Sequence, residues 1–261
     1  MEAVQLLTRS FENPWMRSGL GWHDRATGCR IAVSTPEGEP ELWDEYLDGA
    51  VRSYRRHGVD WVLDADAIRD GHDTALFFAA VGPDGRVVGG TRVVGPLRSP
   101  EESHALVEWD GNIGLGPLRE MIANRLPFGV AEVKGAWANS HDYGSRALTT
   151  VLARTALPTM TLLGVQFVMA TAAAHVLEQW RSSGGVVASR VPAAAYPNDK
   201  YRTKIMWWDR STLASHAEPE QFKLMCAENS EILCGVTAPG DETLAAIGVG
   251  DESQRRPRRC L

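Results

Sequence analysis

Cysteine is scarce and poorly placed to build a site. The four residues of the 261-residue chain, Cys29, Cys226, Cys234 and Cys260, show no C-x-x-C spacing and have no histidine pair nearby. Neither a zinc centre nor a disulfide framework is written into such a pattern, so all four read as free thiols and no metal is expected. Long apolar runs are missing too: none approaches the ~18 residues that a membrane span needs. The opening MEAVQLLTRSFENPW carries no signal-peptide apolar segment with a cleavage site. A cytoplasmic location with no membrane span is the expectation. Positive charge is short as well, with 27 Lys and Arg against 33 Asp and Glu and a formal charge of −6. This argues against a sequence-independent grip on nucleic acid. Arg255, Arg256, Arg258 and Arg259 crowd the last seven residues, where a solvated tail accounts for them.

With 44% apolar and 23% charged residues, the chain can bury a full core. Residues 1–33 mix Gly, Asn, Pro and aromatics without a period and read as an N-terminal arm, with Trp15 and Trp22 packing on the domain. From Glu39 the pattern turns helical. Pro40 suits a first-turn position, and Trp43, Tyr46, Leu47, Ala50, Val51 and Tyr54 repeat at three- and four-residue steps. Thr74–Val81 and Arg86–Val94 are rich in β-formers and joined by Gly82-Pro83-Asp84-Gly85, which predicts a hairpin. A short helix at 117–124 precedes a strand at 129–139. The next helix follows Gly144 and is expected to end or kink at Pro158, which has no N–H to donate.

Val165–Thr171 is an apolar stretch of strand length, Ala172–Ser183 reads as a helix stopped by Gly184-Gly185, and 186–190 and 201–208 read as closing strands. This order predicts an α/β fold in three layers, a mixed sheet with helices on both faces, over residues 34–213. Residues 214–261 read as one helix, 218–232, and a mobile tail rich in Gly, Glu and Arg.

Three local patterns and the element order resemble the GCN5-related N-acetyltransferase (GNAT) superfamily, and within it the N-acyl amino acid synthase and acyl-homoserine-lactone synthase branch. Asp64, Asp66, Asp70 and Asp73 lie just ahead of the hairpin, with Phe77 following in Asp73-Thr-Ala-Leu-Phe77. Gly89-Gly90-Thr91-Arg92 resembles a G-x-x-R ending the second hairpin strand. Glu132-Val133-Lys134 resembles the E-x-[SK] of the central strand. The resemblance covers about residues 40 to 208 and implies a splayed sheet of the acyl-CoA N-acyltransferase type.

What the resemblance implies is an acyltransferase. It would move an acyl group from acyl-CoA or an acyl-carrier protein, a thioester co-substrate, to the amine of a small metabolite, amino acids among them. An acetyl-CoA-dependent N-acetyltransferase, or a catalytically inactive domain that binds thioesters or proteins, remains open as an alternative. The cofactor arm is expected in a wedge between the strands at 129–139 and 165–171, against Trp137, Ala138 and Asn139, with its phosphate on the following turn and helix start. There stand His141, Tyr143, Gly144, Ser145, Arg146 and Ala147. This turn departs from the superfamily's [QR]-x-x-G-x-[GA], because Arg146 takes the last small position and His141 the first basic one. An ordinary helix cap by Ser145 or Asp142 is the competing reading.

Amine acylation needs a base, and Glu132 holds the place of the superfamily's usual one; a buried Glu132–Lys134 pair is the structural alternative, since strand alternation puts both on one face. His175 is the candidate acid for the departing thiolate, set against a purely structural histidine. Arg92, Lys134, Tyr196 and Arg202, with Lys200, are candidates to bind an acceptor carboxylate. Trp137, Trp180, Trp207 and Trp208 would either pack in the core or line a tunnel for a long acyl chain.

Overall fold

An eight-stranded sheet organises the chain. The computed structural model describes residues 19–139 and 145–237. The expectations placed on His141, Tyr143 and Gly144, on Trp15 and on the tail therefore lie outside the described residues. The elements run β1 (Gly21–His23), β2 (Arg30–Ser34), α1 (Pro40–Arg56), α2 (Ala65–Ile68), β3 (Leu76–Val81), β4 (Val87–Val94), α3 (Ala105–Glu108), α4 (Leu115–Ala123) and β5 (Val130–Ala138). They continue with α5 (Ser145–Ala153), α6 (Ala156–Leu163), β6 (Phe167–Ala173), α7 (Leu177–Ser182), β7 (Val186–Val187), β8 (Thr203–Asp209), α8 (Leu213–His216) and α9 (Pro219–Thr237). Sheet order is β1-β2-β3-β4-β5-β6-β8-β7, antiparallel at every junction except β5 with β6.

The predicted mixed sheet with a helical layer on each face is what the residues build. Leu148, Val151, Met160, Trp180, Met225 and Ile232 bring α5, α6, α7 and α9 onto one face, over Ala131, Val133, Val168 and Ala170. On the other face α1 seats Trp43, Tyr46, Leu47 and Ala50 against Phe77, Ala79 and Trp137. Beside it, α3 and α4 cover Val130, Phe167, Met169, Ile205 and Trp207 with Leu106, Trp109, Leu118 and Ile122. Successive side chains of a strand alternate between these layers. Val130, Glu132 and Lys134 thus share the face that α1 and α3 flank.

Four expectations need correction. The segment 1–33 is not an arm along its whole length: from Gly21 it supplies β1 and β2, and β2 pairs with β3 from Arg30↔Val81 to Ser34↔Phe77. The helix after Gly144 breaks at Arg154–Thr155, and Pro158 sits in the first turn of α6, where its missing N–H has no intrahelical partner to lose. Residues Ala172 and Ala173 belong to β6 because β8 pairs with them through Lys204 and Thr203, so α7 is confined to Leu177–Ser182. The strand expected at 186–190 shortens to Val186–Val187. Helix α9, expected in the C-terminal segment, docks on the main core through Met225 and Ile232, both fully buried.

Candidate active site

β5 and β6 run together for only four pairs, Val130↔Phe167, Ala131↔Val168, Glu132↔Met169 and Val133↔Ala170. Beyond Val133, β5 stays with β4 as far as Gly89↔Ala138, while β6 stays with β8 as far as Ala173↔Thr203. Among the described residues no strand pairs with Lys134–Ala138 on the β6 side. The two parallel strands therefore splay apart, and α5 begins at Ser145, six residues past Asn139.

A bulge explains where the strands part. The β4–β5 register slips between Gly90↔Trp137 and Arg92↔Lys134, so Gly135 and Ala136 stand opposite Thr91 alone. An extra residue increases local twist, and here it falls immediately after the last pair with β6. Carbonyls at the bulge are taken by side chains: the Thr91 hydroxyl donates to Lys134 at 3.0 Å and the Tyr46 hydroxyl to Gly135 at 2.9 Å. Gly135 has φ +59°, and a Cβ there would lie 2.6 Å from the Tyr46 oxygen. Gly135→Ala is accordingly expected to lower stability by about 2–3 kcal/mol, combining a left-handed alanine with a displaced hydroxyl. A urea midpoint unchanged from wild type would contradict this account of the bulge.

At the split, on the face between α1 and α3, lies a buried polar cluster. Glu132 is 1% exposed and its two oxygens accept the backbone N–H groups of His104 (3.0 Å) and Ala105 (3.2 Å). The carboxylate thereby satisfies two donors at the start of α3 that have no intrahelical partner. Glu108, at the end of α3, is also buried. Its Oε1 accepts from the Thr171 hydroxyl at 3.1 Å and stands 3.2 Å from His104 Nδ1, while its Oε2 has no hydrogen-bond partner among the described residues. Thr171 is the first β6 residue past the last pair with β5.

Lys134 places its ammonium 3.7 Å from Glu108 and 3.9 Å from Glu132. Burial pushes its pKa below the ordinary lysine value, against the pull of both carboxylates. The pairing of Glu132 with Lys134 foreseen from strand alternation is thus present, but loose and shared with Glu108. Burial, with the charge of Glu108 beside them, pushes the hydroxyls of Tyr54 and Tyr196 up to about 12, so both remain hydrogen-bond donors. The Tyr196 ring lies 6.5 Å from that of His104 and 6.4 Å from that of Trp61, which is 63% exposed.

Of the residues singled out from sequence, Glu132, Lys134 and Tyr196 meet around α3. Arg92 stands opposite Lys134 in the register but spends its guanidinium internally, donating to Asp73 at 2.7 Å and Thr74 at 2.9 Å. His175 is exposed in the turn after β6, with its ring 6.4 Å from Tyr201, and does not join the cluster. Arg202 is exposed at the entry to β8. Trp137 turns its ring under α1, so tightly against Gly49 that a Cβ there would come within 2.1 Å, and only its backbone follows the open strand. Ala138 is half-buried on the opposite face, and Asn139 donates its N–H to Val88 and accepts from Arg56. In the first turn of α5, Arg146 pairs with Glu178 of α7 at 2.8 Å, both exposed, and Ala147 is exposed.

The four tryptophans do not line one tunnel. Trp180 and Trp208 stack edge to face in one core and Trp137 belongs to a second. Trp207 faces a cleft of about 540 Å³ shared with Phe167, Met121 and Arg125, at the end of β6 away from the split. His104 and Glu108 were not foreseen. Their i,i+4 spacing was visible, but a four-residue helix carries no periodicity that would set it apart.

Among the described residues no group of His, Cys, Asp and Glu could hold a metal ion, and no helix is long and apolar enough to cross a membrane.

No protein-family model matches the chain. It is 57% identical over 220 residues, 84% of each chain, to the uncharacterized protein Rv1356c of Mycobacterium tuberculosis, and equally to the uncharacterized protein Mb1391c of Mycobacterium bovis. Among solved structures, it superimposes on FeeM, an N-acyl amino acid synthase from uncultured soil microbes, with a TM-score of 0.50 at 12% identity, over 74% of this chain and 97% of that one. On MesI, a CoA-dependent acyl-homoserine lactone synthase, the TM-score is 0.51 at 18% identity, over 77% and 95%. On BjaI, another such synthase, solved with SAM and isopentyl-CoA, it is 0.50 at 16%, over 78% and 90%. The chain belongs to the family of the mycobacterial proteins Rv1356c and Mb1391c, and its fold is GNAT-like, the fold it shares with the solved synthases FeeM, MesI and BjaI.

Proposed function

We propose that this chain is an N-acyltransferase that takes an acyl group from acyl-CoA or an acyl-carrier protein and passes it to the amine of a small metabolite, an amino acid being the leading candidate. The observation that carries the reading is the parting of β5 from β6 after Val133↔Ala170. It leaves the stretch Lys134–Ala138 without a strand on one side, able to bond a pantetheine arm as a neighbouring strand would. Helix α5 then begins at Ser145, and a helix start attracts an anion through its leading N–H groups and dipole. Of the residues expected around the phosphate, Ser145, Arg146 and Ala147 stand on this helix, and His141, Tyr143 and Gly144 lie outside the described residues.

Amine acylation requires an acid–base group beside the opening, and the polar cluster of Glu132, Glu108, Lys134 and His104 lies there. Lys134 and Tyr196 are the residues we assign to an acceptor's carboxylate. Arg92 stands opposite Lys134 on the neighbouring strand with its guanidinium held by Asp73 and Thr74, and Arg202 and His175 lie further out. One observation favours a short acyl group: the tryptophans are distributed over separate cores, which supports acetyl-CoA as donor over a long-chain thioester.

The test is to offer acetyl-, octanoyl- and palmitoyl-thioesters of CoA and of an acyl-carrier protein together with a panel of amino acids. Thiol release and N-acylated products are then read by mass spectrometry. Thioester-dependent acylation is expected. Turnover confined to acetyl-CoA selects the acetyltransferase version, and binding without turnover of any amine selects a thioester-binding module. Absence of CoA and carrier-protein binding by calorimetry discards the reading altogether.

A further inference from the structure

The carboxylate expected to act as base is already engaged. Both oxygens of Glu132 accept backbone N–H groups, and the side chain is 1% exposed. Those two N–H groups belong to His104 and Ala105, so Glu132 holds in place the backbone of a histidine. The imidazole of that histidine is 38% exposed, whereas the side chains of Glu108 and Glu132 are 5% and 1% exposed. An amine entering at the split can reach His104 and neither carboxylate.

We propose that His104 is the general base of the acyl transfer and that Glu108 is its positioning residue. The inference rests on the acyltransferase reading above. Nδ1 of His104 faces Glu108 Oε1 at 3.2 Å. An ionised carboxylate only accepts, so this contact fixes the proton of the neutral ring on Nδ1 and leaves the lone pair on Nε2, on the far side of the ring. Glu108 is steadied in turn by the Thr171 hydroxyl at 3.1 Å and by the Lys134 ammonium at 3.7 Å. A buried carboxylate orienting a half-exposed imidazole is the arrangement that makes histidine a base in nucleophilic catalysis. Thr171 ties the pair to the first residue of β6 beyond its pairing with β5, at the mouth of the opening. The rings of Tyr196 and Trp61 continue outward from His104 and form an aromatic wall for the acceptor.

The proton inventory closes. An ammonium R–NH3+ gives one proton to His104 Nε2, and the freed lone pair attacks the thioester carbonyl to form the C–N bond. As the tetrahedral intermediate collapses, the C–S bond breaks with its electron pair on sulfur. The second nitrogen proton goes to that thiolate, and the imidazolium returns the first to solvent. The products are an amide, a thiol and one proton.

With the donor and amine that the wild type turns over, His104→Ala is expected to lower kcat by about 100-fold or more while KM for the thioester stays within about threefold. Added imidazole is expected to restore part of the rate, which it would not do for a residue that only shapes the fold. Glu108→Gln is expected to lower kcat by a comparable factor with the ring present, and nitrogen-15 NMR of His104 should show its Nδ1–H tautomer partly lost. If His104→Ala fails to fold, as judged by its melting transition, His104→Gln takes its place in the same assay. A folded variant that retains kcat within about threefold of wild type overturns the assignment and leaves the acyltransferase reading standing. So does a wild-type ring protonated on Nε2 in place of Nδ1. A wild-type protein that turns over no thioester overturns both.

Discussion

Replacing Arg154 with alanine is expected to lower the unfolding free energy by about 3–5 kcal/mol, the cost of stranding buried carboxylates without their counter-ion. Arg154 is 2% exposed and lies between Asp24 and Glu228, each 5% exposed. Its Nε donates to Glu228 at 2.8 Å, Nη2 to Asp24 at 2.6 Å and Nη1 to Gln221 at 3.1 Å. Three segments distant in sequence converge there: the turn between β1 and β2, the end of α5, and α9. Among the described residues Arg154 alone forms an ion pair with Asp24 or Glu228, so the loss should appear as an earlier urea midpoint. Substituting all three ionic residues by apolar ones of similar volume should recover much of it, because the desolvation cost of the charges disappears together with their attraction. A loss under about 1 kcal/mol in the single variant would mean that water reaches the triad and would remove it as the clamp on α9.

The same triad sets a pH dependence. Burial pushes the Asp24 carboxyl up, but the Thr27 hydroxyl and N–H together with Arg154 outweigh it and hold it below the ordinary value of 3.8. A carboxyl depressed in the folded state stabilises the protein fully above its unfolded value, and the contribution is lost as pH falls through the folded one. Burial and the Asp24 charge push the Glu228 carboxyl up, so that its titration opposes the trend, and the comparison is made with Glu228→Gln in both proteins. The stability gap between Asp24 and Asp24→Asn should then be constant near neutrality and narrow only below about pH 4. A gap that widens with acid would reverse the sign assigned to Asp24.

What the sequence disclosed and what it withheld divide along the range of the interactions. Helix α1 was legible because Trp43, Tyr46, Leu47 and Ala50 mark a single face within two turns. The hairpin was legible because its turn chemistry lies between its two strands. The parting of β5 from β6 was foreseen through the resemblance, whereas its local cause, the bulge at Gly135, needed the register with β4. Strands β1 and β2 escaped notice because three and five residues carry little alternation, and β3, the partner that ties β2 into the sheet, lies more than forty residues away. The site shows the same division. Strand alternation was enough to put Glu132 and Lys134 on one face. That Glu132 would be consumed by N–H groups 27 and 28 residues upstream is a fact of tertiary packing alone.

Glu132→Ala is the substitution in which stability and chemistry should fail together. It removes the acceptor of two buried N–H groups and one of the two carboxylates beside Lys134. Each unsatisfied donor costs on the order of 1–3 kcal/mol, so a loss of about 2–4 kcal/mol is expected once the turn relaxes toward water. Burial already lowers the pKa of Lys134, and with Glu132 gone only Glu108 and Asp73 would hold it up. The amides of His104 and Ala105 should lose protection against hydrogen exchange before the rest of the sheet does, because α3 has only four residues and little else to hold its first turn. A base removed directly would lower turnover with those amides still protected. An anchor removed would lower it because His104 no longer stands over the opening. Full protection in Glu132→Ala, combined with lost activity, would return the role of base to Glu132 and take it from His104.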